Sequence, residues 1–236
     1  MDILLLIFLV FFAYVVRTLT GFGSVVLLSP ILSSIFGPKN AVILVVLMES
    51  FISIIFAVKE RLNFDLKEVY FGSFVGALIG YFFFESLSER ELGIAIGLSL
   101  IVLSLALIFD VKYRVREEKP LFFFSGFLSG SLGVLSGVTG PQVVIALVNQ
   151  GYDSKFVRRF MISYLSVVYA TILTIFIFSG HVSYSILSKF LVCIPSIALA
   201  YFFGKRIVLK IDSKKLEKVI LIVVLISSLS LILKYL

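Results

Sequence analysis

The chain has 236 residues, of which 60% are hydrophobic, and its mean hydropathy of +1.15 lies far above that of a soluble domain. Twenty-one lysines and arginines against fourteen acids give a net charge of +7; in so apolar a chain this reads as cytoplasmic loop charge, not as a nucleic-acid footprint. A single cysteine, Cys193, and a single histidine, His181, exclude an intrachain disulfide and argue against a cysteine- or histidine-built metal site. No cofactor is expected.

The N-terminal stretch "MDILLLIFLVFF" lacks a basic leader and reads as a first membrane segment, not a cleaved signal. Residues 2–36 are too long for one span and are broken by "TGFGS" at 20–24. Long apolar spans follow at about 41–58, 66–84 and 91–109. The longest polar stretch, "DVKYRVREEK" at 110–119, comes next. A second broken region, 120–150, is interrupted by "SGVTGPQ" at 136–142. Three further spans are expected at about 157–179, 184–203 and 216–234. The pieces beside each break run about 9–17 residues. At about 1.5 Å per residue most are too short for about 30 Å of hydrocarbon. The expected solution is a pair of half-helices meeting near mid-membrane, where broken backbone survives only when buried or lining a cavity.

Loop charge favours broken regions that return to their starting side, whether as re-entrant hairpins or as two thin crossings. Sixteen basic residues then fall on one face, in loops 59–67, 110–119, 150–159 and 204–218, and four (Lys39, Arg90, Lys189, Lys234) on the other. If each region crossed once, the split would be eleven against nine. The positive-inside rule selects the first arrangement, with both termini outside and the basic loops cytoplasmic. The two halves also repeat: "GYFF" at 80–83 recurs as "AYFF" at 200–203, each following its glycine break at a similar distance. Each half has one hairpin and three crossings, so the second is inverted relative to the first. The expected fold is therefore an all-α polytopic membrane protein built as an inverted repeat. Its halves are 1–110 and 120–236, joined by a cytoplasmic linker at 111–119. Discontinuous helices at matching positions are a transporter pattern and point to the two breaks as the substrate site. Gly72, Gly76 and Gly80, with Ser196, Ala200 and Gly204 as counterparts, predict either a sliding surface or ordinary close helix packing.

The motifs "TGFGSVVLLSPIL" with "GPKNAV", and "GVLSGVTGPQVVIALVNQGYDSKFVRR", resemble those of the TauE/SafE sulfite exporter family, also called TSUP. The likeness covers essentially the whole chain. It implies a cell-membrane permease for sulfite, thiosulfate, a sulfonate or a similar small anion. The stretch "GVTGPQ" carries one glycine before Pro141 where the family often has consecutive glycines, which implies a differently shaped pocket.

Half-helix N-termini offer free N–H groups and a positive dipole end to an anion. The expected lining is therefore Gly21, Gly23 and Ser24 at one tip, and Gly137, Thr139, Gly140, Pro141 and Gln142 at the other. Thr20 and Ser136 are expected to add hydroxyls. Arg17 is the one basic residue outside the loop regions, and Glu49 is its candidate partner. Two readings stay open for this pair. Arg17 attracts the anion while Glu49 takes a coupling proton or holds the arginine; or the two form a structural ion pair, or Arg17 snorkels to the outer surface. Arg158 and Arg159 are expected either to attract anions or to anchor the cytoplasmic face. Tyr164 and Tyr169 are expected to be packing residues, and Asn149 a helix cap. The rival functions are an anion channel of the same architecture and, further off, a lipid phosphatase; the latter lacks a convergent nucleophile, acid and base. Monomer and homodimer both stay open.

Overall fold

The computed structural model describes residues 3–20, 23–59, 63–109, 112–207 and 213–236. Ten helices run through them: α1 (Ile3–Thr20), α2 (Gly23–Phe36), α3 (Pro38–Lys59), α4 (Lys67–Ser86), α5 (Glu89–Ile108), α6 (Glu118–Ser136), α7 (Gly140–Asn149), α8 (Ser154–Phe178), α9 (Tyr184–Ile207) and α10 (Ser213–Tyr235). Among the described residues five stretches are long and apolar enough to cross a membrane: Pro38–Val58, Lys67–Ser86, Glu89–Ile108, Ser154–Phe178 and Tyr184–Gly204. The sixth expected span corresponds to α10, whose described apolar part is Val219–Tyr235. Of the residues expected to matter, Gly21, Arg61 and Lys210 lie outside the described residues.

Helix ends follow local chemistry. Ser88 caps α5 in a reciprocal box with Glu91. Asp153 caps α8 by accepting from the Lys155 and Phe156 amides at 2.8 and 3.0 Å. Gly137 ends α6 with φ of 80°, a conformation glycine adopts without a Cβ penalty. The first limbs of the two broken regions are longer than the sequence predicts: α1 has 18 residues and α6 has 19. In α6 the added residues are Glu118, Lys119 and Ser136 at its ends, while Gly126, Gly130 and Gly133 lie inside the helix. These glycines are buried against neighbours, and the backbone breaks only at Gly137.

The closest helix pair is α4 with α6. A Cβ on Gly72 would strike the Phe123 carbonyl, one on Gly76 the Phe127 carbonyl, and one on Gly130 the Ser73 carbonyl. Ser131 Oγ donates across the seam to the Gly76 carbonyl at 3.0 Å. This is backbone-to-backbone packing through small residues, so the stripe serves close packing. The opposite face of α4 presents Phe71, Phe74, Leu78 and Phe82 outward, the reverse of soluble-protein logic and suited to hydrocarbon. A related pairing joins α1 and α9, where Gly204 faces Thr18. Thus α4 packs on the first limb of the second broken region, and α9 on the first limb of the first. Helix α3 lies against α2, α8 and α9 and carries an almost continuous buried run, Ala41 to Met48.

Candidate functional site

Helical spacing sets up the site. On α1, Tyr14 and Arg17 lie three residues apart on one face. On α3, Glu49 and Ser53 lie four apart, as do Leu165 and Tyr169 on α8. Helix α2 begins at Gly23–Ser24 and α7 at Gly140–Pro141, with Pro141 in the first turn, where its missing N–H is no loss. The fold brings these five helices to one point.

Arg17 Nη1 is ion-paired with Glu49 Oε2, the two residues being 5% and 1% exposed. The snorkelling alternative is therefore corrected: the guanidinium turns inward to a buried carboxylate. Arg17 Nη2 also donates to Ser53 Oγ at 3.3 Å. The other carboxylate oxygen, Glu49 Oε1, accepts from Ser24 Oγ at 2.7 Å and from the Tyr14 hydroxyl at 2.9 Å. Burying one charge alone is costly, so each partner needs the other; removing one costs about 3–5 kcal/mol.

The second tip meets this pair. Arg17, Val25, Glu49, Val138, Thr139, Gly140, Pro141, Leu165 and Tyr169 wall one small cavity. Its volume is about 10 Å³, room for about one water molecule, so an anion of several heavy atoms enters only if the walls separate. The Tyr169 hydroxyl donates to the Gly137 carbonyl at 2.9 Å. Ser29 Oγ donates to the Ser136 carbonyl at 2.6 Å, and Ser129 Oγ donates to that of Thr139. These bonds hold the α6–α7 turn against α2 and α8. A Cβ at Gly137 would sit 2.9 Å from Val45 Cγ1 and 3.4 Å from Val25 Cγ1, so the turn nests directly on α2 and α3.

Of the expected lining residues, Arg17, Glu49, Thr139, Gly140 and Pro141 share the cavity, and Ser24 reaches it through Glu49. Gly23 is buried where α2 starts. The Ser136 hydroxyl turns back to the Leu132 carbonyl at 2.8 Å, so it serves its own helix end. Gln142 does not wall the cavity; its amide is sealed from solvent without a partner among the described residues. Thr20 ends α1, and its side chain, like Gly21, lies outside what is described. Asn149 back-bonds to the Ile145 carbonyl at 3.0 Å and receives the Tyr113 amide at 3.1 Å, tying the preceding loop to α7. Arg158 and Arg159 are exposed near the start of α8, away from the cavity walls.

Tyr14, Ser53 and Tyr169 were not anticipated as site residues. The first two follow from helical spacing around Arg17 and Glu49. Tyr169, expected to be a packing residue, is instead a hydrogen-bonding wall of the cavity.

The sulfite exporter TauE/SafE family model matches residues 6–231, taking in both broken regions and every helix of the site. The chain belongs to this family. Members of the TauE/SafE family are transporters, not enzymes, so the chain is a multi-pass membrane transporter of small anions, set in lipid. No curated protein and no solved structure matches the chain.

Proposed function

We propose that the protein is a secondary transporter of a sulfur oxyanion or organosulfonate in the cell membrane, working by alternating access. The substrate site is the space between the two half-helix tips, lined by Ser24, Thr139, Gly140 and Pro141 and made attractive to anions by Arg17. Gly23 and Gly137 allow close backbone approach. The observation that carries this reading is the cavity shared by Arg17 and the α7 N-terminus, buried yet too small for the cargo as it stands. A site that must open to accept its ligand suits a carrier better than an open filter.

The reciprocal packing of α4 on α6 and α9 on α1 supports two interlocked, inverted halves, 1–110 and 120–236, around the 111–119 linker. Rocking of one half on the other would expose the site to each face in turn. With the basic loops cytoplasmic, both termini lie outside.

The test is thermal stabilisation of detergent-purified protein by sulfite, sulfate, thiosulfate, taurine, sulfoacetate and phosphate. A ligand bound only by the folded state raises the melting point by mass action. The expected result is a shift with at least one sulfur anion, absent in the Arg17→Gln/Glu49→Gln double variant, which removes both charges together. A shift with phosphate alone, or none at all, contradicts the sulfur-anion assignment.

A further inference from the structure

The geometry points to Glu49 as a proton carrier: its carboxylate occupies the anion position of the site, and substrate takes that position only when Glu49 is protonated. This inference rests on the proposed anion site and adds its coupling.

Three donors converge on the Glu49 carboxylate. Arg17 pairs with Oε2, while Ser24 Oγ at 2.7 Å and the Tyr14 hydroxyl at 2.9 Å reach Oε1. Ser24 is the second residue of α2, so the carboxylate lies at the N-terminal end of that 14-residue helix. The buried guanidinium that would draw in an anion is already engaged by an internal anion, which also lies beside the α2 N-terminus. Arg17 and Glu49 together are neutral. A dianion brought beside them would leave a buried region carrying an excess of negative charge, in a space from which water is nearly excluded. Buried uncompensated charge is strongly disfavoured, and a neighbouring like charge favours the neutral form of a carboxyl group.

Protonation eases the conflict, lowering the summed charge of Arg17, Glu49 and a dianion from two negative to one. A proton from the aqueous face binds Glu49 Oε2, which ends the ion pair and frees Arg17 for the entering anion. When the site opens to the other face, the anion leaves, Arg17 returns to Glu49, and the proton is released there. Anion and proton therefore cross together. Among the described residues, the other titratable groups facing this point are Arg17 and Tyr14 from α1 and Tyr169 from α8, with Cys193 of α9 near Tyr14. Helix α2 contributes none. The ordinary ranges of arginine, tyrosine and cysteine lie above neutrality, which leaves the Glu49 carboxyl as the group to exchange a proton when an anion enters.

Thiosulfate is the probe, because it remains a dianion throughout this range whereas sulfite titrates itself. Its affinity is read from anion-dependent thermal stabilisation at a series of pH values, and proton uptake on binding is followed with a dye in weakly buffered solution. For one coupled proton the wild type should bind about tenfold more tightly per unit fall in pH above the titration of free Glu49, with one proton taken up per anion. Glu49→Gln should bind with no pH dependence and no proton uptake, more tightly than the wild type near neutrality. Glu49→Asp, which keeps an acid, should restore the slope. Binding by the wild type that is flat with pH and takes up no proton overturns the coupling while leaving the anion site standing. Loss of binding in a folded Glu49→Gln makes Glu49 part of the anion cradle and also overturns it. Absence of thiosulfate binding at any pH in every form overturns the inference together with the site on which it rests.

Discussion

Ser29 on α2 donates its hydroxyl to the carbonyl oxygen of Ser136, the last residue of α6, at 2.6 Å. The residues are 107 apart in sequence, and the bond fastens one broken region to the turn of the other. Both are almost fully buried. Interhelical hydrogen bonds of this kind contribute about 0.6 to 2 kcal/mol in membrane proteins. Ser29→Ala should lower stability by about 1 kcal/mol, measured by reversible unfolding in mixed micelles. Ser34→Ala, which removes only a back-bond to its own helix at Pro30, should change it by less than half as much. Equal effects would show that the contact between the broken regions contributes nothing special.

The seam between α4 and α6 leaves no room for a side chain. Gly76→Ala and Gly130→Ala would each drive a methyl group into a facing carbonyl of the partner helix, and overpacking of this kind costs about 1–3 kcal/mol or more. Each variant should lose several degrees of melting temperature. Phe74→Leu on the outward face of α4 should be nearly neutral.

Gly137 combines a positive φ of 80° with a Cβ position 2.9 Å from Val45 Cγ1. Gly137→Ala therefore meets backbone strain and a clash at once, of order 1–3 kcal/mol. The second tip should be displaced from α3, and transport should fall further than stability does. Gly180→Ala shares the positive φ, at 74°, but has nothing within 4 Å of its Cβ position. It should show a comparable backbone penalty with transport retained. The comparison is made by proteoliposome flux normalised to folded protein.

Much of this organisation was legible in the sequence, for physical reasons that differ by element. The break at 136–142 was readable because glycine and proline act locally, and the family match confirms the class to which the glycine motifs belong. The pairing of Arg17 with Glu49 was readable because two charges in an apolar chain must find each other. The lengths of α1 and α6 were not. Helix α6 starts at Glu118, within the polar stretch 110–119, and runs through Ser136, so hydropathy alone misses both of its ends. Tyr14 and Ser53 were within reach of a spacing argument from the charged pair. Tyr169 was not: it meets Gly137 only through the packing of α8, and nothing in its own neighbourhood distinguishes it from Tyr164. Gln142, placed at the tip by proximity to Pro141, sits on α7 away from the cavity walls because helix rotation, not sequence adjacency, decides which side chains face inward.

The most direct test of the central claim, that Arg17 and the two tips form the anion site, is radiolabelled thiosulfate and sulfite flux into proteoliposomes. Wild type should be compared with the Arg17→Gln/Glu49→Gln double variant, which removes the buried pair without stranding either charge. The account predicts saturable flux in the wild type and a loss of roughly a hundredfold in a double variant that remains folded, the scale expected when a buried charged contact to a ligand is removed. Undiminished flux in the folded double variant would contradict it and place the anion path elsewhere in the molecule.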